Sequence, residues 1–157
     1  MVAPKEYRKL REKIESDPQA YLNSALAFLG KRLRWVVPEN TEIIIRRLEL
    51  AEFVQHHPSD RLAGEIEAIV GGKNVHFVHF NWRKLINTGN QAFVFEYIFC
   101  LVHELLEIYG KQSGERKVHL EPNKDQATPE ETDMTYSFLE EELGLPRSDY
   151  SGFQWRP

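Results

Sequence analysis

Cysteine is almost absent from this sequence, since Cys100 is the only one among 157 residues. A single cysteine excludes an intrachain disulfide and is typical of proteins in a reducing compartment. Long apolar runs are also lacking: the run around Cys100 is free of charge only over residues 97–102, and a membrane span needs roughly 18 residues. Residues 1–17 are densely charged and contain no apolar core of a secretory signal. We therefore predict a cytoplasmic protein with no membrane association.

Basic residues are not in excess. The chain has 20 Lys and Arg residues against 24 Asp and Glu, a formal net charge of −4. Proteins that bind nucleic acid mainly through its phosphates usually carry a basic surface. Only residues 31–35 and the Arg46-Arg47 pair are basic clusters, and clusters this short are most often solvated surface. Nucleic acid is therefore disfavoured as a partner, although it is not excluded.

Length and hydrophobic patterning predict a single α+β domain over residues 1–157. The Asp17-Pro18 pair is a typical helix start, and so is Thr128-Pro129. Gly110 is expected to end the central helix. The expected order is N-terminal helices in 1–40, a sheet and the central helix in 41–110, an acidic helix in 128–145 and a tail in 146–157.

Three strands are expected to form a small antiparallel meander. Residues 41–54 are ambiguous, because their isoleucine run favours a strand while their later part also fits helical spacing, and we prefer the strand. Residues 64–70 and 74–80 flank two glycines, as the arms of a hairpin do. In the second arm His76 and His79 fall on opposite faces, so these two do not make a joint metal site by themselves.

The central helix, residues 92–110, carries ionisable side chains along one line of an otherwise apolar segment. Glu96, Cys100, His103 and Glu107 are spaced by four, three and four residues, which places them on one helix face. A helix that is apolar on all sides is normally buried. Buried carboxylates are costly unless they are paired, protonated or bound to a metal. This helix is therefore the best candidate for a functional site.

The same helix reads H-E-x-x-E at His103, Glu104 and Glu107. In the related H-E-x-x-H motif, two histidines one turn apart bind zinc and the intervening glutamate acts as a base on water. At these residues the sequence resembles the zincin metallopeptidases, specifically the branch whose third ligand is a glutamate on the following helix. The resemblance covers roughly residues 75–140, and Glu107 stands where the family has its second histidine.

The resemblance implies a hydrolase that activates water with a metal and cleaves a peptide or another amide or ester bond. His103 would be the first ligand and Glu104 the catalytic base, with Glu107 in the second ligand position. One histidine with two carboxylates is a harder ligand set than that of the family. Zinc is the ion that we expect first, and Mn, Fe or Mg would also be possible. The remaining candidate ligands are an acid of the next helix, Glu130, Glu131 or Asp133, and His119 from the loop between the helices.

Other enzymatic interpretations use overlapping residues. Cys100, His103 and Glu107 could form a metal site unrelated to zincins. The E-x-x-E and E-x-x-D spacings are similar to those of the all-α nucleotide pyrophosphohydrolases, which hold Mg with four carboxylates, although the expected strands argue against that family. A carboxylate cluster could also hold Mg in a nuclease. The carboxylates of the two spacings are Glu104, Glu107, Glu130 and Asp133.

A non-enzymatic interpretation remains open. The pattern H-E-x-x-E also arises by chance in glutamate-rich helices, with Glu104 and Glu107 simply exposed. Glu96 could then be neutralised by a buried arginine. The chain would be an interaction module, with the aromatic tail and the Arg46-Arg47 pair as contact surfaces. The candidate arginine partners of Glu96 are Arg46, Arg47 and Arg83, and the aromatic residues of the tail are Tyr150, Phe153 and Trp155.

Overall fold

The computed structural model describes residues 2–113 and 128–155. Within these ranges the α+β class predicted from the sequence is confirmed. None of the described helices is both long and apolar enough to cross a membrane. The helices are α1 (Pro4–Ser16), α2 (Leu22–Leu33), α3 (Leu50–Phe53), α4 (Trp82–Ile86), α5 (Asn90–Ser113) and α6 (Pro129–Glu141), and the strands are β1 (Thr41–Leu48), β2 (Ala63–Val70) and β3 (Lys73–Asn81).

The sheet is mixed, so the predicted antiparallel meander is wrong in one strand. Its order is β1-β3-β2, with β2 antiparallel to β3 but β1 parallel to it. The β2–β3 hairpin is confirmed, and Gly71 and Gly72 take φ values of 58° and 83° in its turn, a conformation that glycine adopts without strain. The alternation of apolar and polar side chains predicts that a segment is a strand, but it does not predict which strand lies beside it or in which direction that strand runs. The more buried strand, β3, takes the centre and receives β1 on its free edge.

Several predicted boundaries are corrected by local hydrogen bonds. The Asp17 carboxylate accepts a hydrogen bond from the Gln19 amide at 3.0 Å, so it caps a turn, and α2 begins only at Leu22. The first predicted strand ends at Leu48, and α3 occupies the part whose spacing also fitted a helix. Gly110 does not end the central helix, which continues to Ser113. A single glycine costs a helix only about 1 kcal/mol, less than the packing of its neighbours contributes.

Helix α5 is buried on nearly all sides, as its composition predicts. The sheet covers one side, where Phe80 of β3 stacks on Tyr97 with ring centroids 4.6 Å apart. Helices α1, α2 and α6 pack against other sides. Most residues from Phe93 to Ile108 are consequently buried, including the polar side chains of His103 and Glu104. Enclosure by several elements explains why this segment lacks the polar stripe of a surface helix.

The C-terminal tail docks on α5 through its aromatic residues. After α6, which begins as predicted with the Thr128 hydroxyl accepting a hydrogen bond from the Glu131 amide, a turn at Gly144 redirects the chain. The Tyr150 ring then meets Phe95 at 5.6 Å between centroids. Trp155 stacks on Phe99 at 5.3 Å. The tail therefore covers α5 close to the H-E-x-x-E residues.

The tail is also tied to the N-terminus by Asp149, and this tether predicts a pH dependence. Its carboxylate accepts hydrogen bonds from the Tyr7 hydroxyl at 2.7 Å and from the Val2 amide at 3.2 Å. The Tyr7 hydrogen bond lowers the pKa of Asp149. A lowered pKa gives stabilisation that is complete above the ordinary aspartate range and is lost as the pH falls below that range and through the lowered pKa. Asp149→Asn should therefore lower the melting temperature more at about pH 7 than at about pH 2.5. An equal effect at both pH values would contradict this tether.

Candidate metal centre

The H-E-x-x-E residues of α5 form a compact cluster. His103, Glu104 and Glu107 each offer one ligand atom, and these atoms all lie within 4.8 Å of one another. His103 and Glu104 are buried and Glu107 is half-buried. Glu107 lies four residues after His103 and three after Glu104, so helical spacing brings its side chain next to both. The burial of His103 and Glu104 keeps most of the cluster away from solvent. The cluster therefore has the size and the polarity of a cation site.

Glu131 of α6 orients the imidazole of His103. The Nδ1–H of His103 donates to Glu131 Oε2 at 2.7 Å, and both side chains are buried. This contact fixes the ring and leaves its Nε2 on the side of Glu104, whose Oε2 is 3.8 Å away. A carboxylate behind a histidine is the usual arrangement around a metal-binding imidazole. The other Glu131 oxygen, Oε1, is buried and has no hydrogen-bond partner among the described residues.

The three predicted acids of α6 have different surroundings. Glu131 contacts His103, whereas Glu130 and Asp133 are exposed. The structure therefore does not bring Glu130 or Asp133 to the cluster. His119, the predicted further ligand, lies outside the described residues. Of the four carboxylates with pyrophosphohydrolase-like spacing, only the two on α5 meet.

Glu104 holds a proton more tightly than an ordinary glutamate. Burial raises its pKa well above the usual range, and the charge and hydrogen bond of Glu107 raise it further, with smaller contributions from Glu65 and Glu131. The raised pKa favours the protonated carboxyl of Glu104, the form that can donate a hydrogen bond to Glu107. Carboxyl groups with raised pKa values are typical of sites that transfer protons.

A second polar network, which was not predicted from the sequence, lies next to the cluster. The Glu65 side chain is 1% exposed, accepts a hydrogen bond from His76 Nδ1 at 2.7 Å and forms an ion pair with Lys111. It links β2, β3 and α5, because Lys111 lies one turn beyond Glu107. The register pairs Glu65 with the buried Val78 of β3, so its side chain faces α5. An acid at an inward position of a strand was the signal that could have revealed it.

Glu96 and Cys100, the first two of the four ionisable residues predicted to lie along one face of α5, are not part of the cluster. Burial raises the pKa of Cys100, which keeps it as a thiol, the form that is not a metal ligand. Burial also raises the pKa of Glu96, partly offset by the charge of Lys84. The arginines expected as partners of Glu96 contact other groups: Arg46 lies over Phe77, Arg47 over Trp82 and Arg83 near Glu49.

Trp155 closes the cluster from the side of the tail. Its ring meets the His103 ring edge to face at 5.2 Å between centroids. Only 7% of its surface is exposed. The aromatic tail is therefore part of the wall of the candidate site, a position that sequence patterning could not assign.

Comparisons of this chain with protein-family models, with curated proteins and with solved structures found no match. The resemblance of the H-E-x-x-E helix to zincins therefore stays a prediction from its residues.

Proposed function

We propose that this protein is a metal-dependent hydrolase of zincin-like type that cleaves a peptide or another amide or ester bond. The observation that supports this proposal is the cluster of His103, Glu104 and Glu107, with Glu131 hydrogen-bonded behind the histidine. A buried imidazole aimed at two carboxylates is a costly arrangement for a purely structural helix. A bound cation would compensate that cost.

The donors of the cluster fit a divalent cation. His103 supplies an imidazole nitrogen and Glu107 a carboxylate oxygen, and Glu131 supplies the supporting hydrogen bond behind the histidine. Zinc is the ion we expect first, and the carboxylate share also suits Mn, Fe or Mg. A bound cation would lower the pKa of water and polarise the bond to be cleaved.

Glu104 supplies the proton transfer in this proposal. A cation bound beside Glu104 would favour its ionised form, which would take a proton from the attacking water and return it to the leaving group. Glu131 keeps His103 in one orientation, and Trp155 keeps water away from the other side of the ring. Each of these residues therefore has a role that follows from its contacts.

The alternatives fit the structure less well. In an interaction module the aromatic tail would offer a contact surface, but Tyr150 and Trp155 are buried against α5. In a four-carboxylate Mg enzyme Glu130 and Asp133 would join the cluster, but both are exposed.

Metal removal tests the proposal. The purified protein should contain one divalent metal per chain by elemental analysis, and dialysis against a chelator should remove both the metal and hydrolysis of a mixture of fluorogenic peptides and activated esters. Re-addition of zinc, manganese, iron or magnesium should restore activity with one of them, because the cation activates water. A metal-free protein that is unchanged in stability by these ions would contradict the proposal.

A further inference from the structure

Three of the six histidines in the chain lie together on the face of the sheet opposite α5. His79 belongs to β3 and faces away from α5, while His56 and His57 follow α3 and cover it. The Nε2 atom of His57 is 3.0 Å from Nδ1 of His79. The ring centroids are 5.2 Å apart for His57 and His79, 5.4 Å for His56 and His79, and 6.0 Å for His56 and His57.

These separations match those of imidazoles that share one metal ion. With zinc–nitrogen bonds of about 2.1 Å in a tetrahedral site, two ligand nitrogens lie about 3.4 Å apart and the centroids of their rings about 5 Å apart. The His57–His79 pair is close to both values. Its two nitrogens are within hydrogen-bond distance of each other, so a bound ion would replace that hydrogen bond. The His56 ring is farther away, with its centroid 5.4 Å from that of His79 and 6.0 Å from that of His57.

The local fold holds two of the rings in place. The His57 amide donates to the Phe53 carbonyl at 3.0 Å, which fixes the backbone of His57 just after α3. His57 then lies over Gly64, where a Cβ atom would come within 2.2 Å of its Nδ1. Gly64 pairs directly with His79 across the β2–β3 ladder. A glycine at this position is therefore what allows the two imidazoles to meet.

We propose that His56, His57 and His79 form a second metal site, for a divalent ion of the zinc, nickel and copper class. Three neutral nitrogen donors favour such borderline ions, in contrast to the carboxylate-rich centre on α5. Among the described residues only the α5 cluster brings three ligand atoms within 4.8 Å of one another. His56 must therefore rotate about its side-chain torsions to complete the set, and its exposed position permits this.

Arg46 sets the strength of this site. It pairs with His79 across β1 and β3, so both side chains are on the same face. The guanidinium lies over the Phe77 ring at 4.5 Å, and its positive charge opposes a bound cation. Arg46→Gln removes this charge and should therefore strengthen metal binding. That effect would not arise if the three histidines had only a structural role.

The test uses the full chain with the α5 centre removed by His103→Gln and Glu107→Gln. Titration of this double variant with zinc against a chromophoric chelator should show one ion bound per chain. Adding His57→Gln should weaken binding by more than about tenfold, and His56→Gln should weaken it as well. His76→Gln, on the opposite face of β3, is the matched control and should leave the affinity unchanged. A folded double variant that binds no zinc, or equal affinity after His57→Gln, would overturn the proposal.

A second measurement covers the case in which the double variant does not fold. The unmodified chain loaded with copper(II) should show nitrogen couplings from three imidazoles in its electron paramagnetic resonance spectrum, and His57→Gln should reduce their number. A spectrum with a single nitrogen, unchanged by His57→Gln, would place the ion at the α5 cluster alone and refute the second site.

Discussion

Glu104→Gln is expected to lower the rate of hydrolysis by about 10²- to 10⁴-fold, the range for loss of a positioned acid or base, while the metal stays bound. Glutamine keeps the shape of the buried side chain and can still donate a hydrogen bond to Glu107. It cannot accept and return a proton. The change should therefore appear in kcat, with little effect on metal content.

The measurement is the steady-state rate of the metal-loaded variant together with its metal content. Glu96→Gln is the matched control, because Glu96 is a partly buried acid on the same helix whose pKa is also raised by burial, yet it lies outside the cluster. It should keep both the metal and the rate. Full activity in Glu104→Gln would refute its role in proton transfer. Loss of the metal as well would make Glu104 a ligand.

Glu131→Gln is expected to weaken metal binding by about 10- to 100-fold, the usual effect of removing the partner behind a metal-binding histidine. The carboxylate accepts the hydrogen bond of His103 Nδ1 at 2.7 Å and supplies negative charge close to the ring. Glutamine keeps the size but removes the charge, so His103 becomes a weaker and less well oriented donor.

The neighbouring Glu130 provides the control for this experiment. It has the same side chain and the preceding position on α6, but it is exposed. Glu130→Gln should leave the affinity for zinc unchanged, as measured by competition with a chelator. Equal effects of the two substitutions would mean that the general charge of α6 matters, and not the contact with His103.

Local features of the fold could be predicted because neighbouring residues decide them. The glycine pair of the β2–β3 hairpin and the cap at Thr128 are examples, and both were found as expected. The direction of β1 could not be predicted. Parallel and antiparallel strands have the same alternation of side chains. Because β1 runs opposite to β2, it is parallel to its neighbour when it pairs with β3, and it would be antiparallel if it paired with β2.

In the candidate site, too, local spacing predicts one part of the arrangement and not the other. Helical spacing brings His103, Glu104 and Glu107 together without reference to the rest of the molecule. It could not show which acid of α6 faces them, because that depends on the rotation of α6 about its own axis, and a rotation of about 100° would exchange Glu131 for Glu130.

The sequence by itself determined the α+β class, the buried central helix and the three side chains of its H-E-x-x-E motif, since all of these follow from periodicity and burial over short distances. Only the tertiary structure decided the hydrogen bond from Glu131, the Glu65 network, the tail over His103 and the meeting of His57 with His79. The residues in these contacts are far apart in the chain or lie on different elements. Their contact depends on how helices and strands pack, which no local pattern encodes.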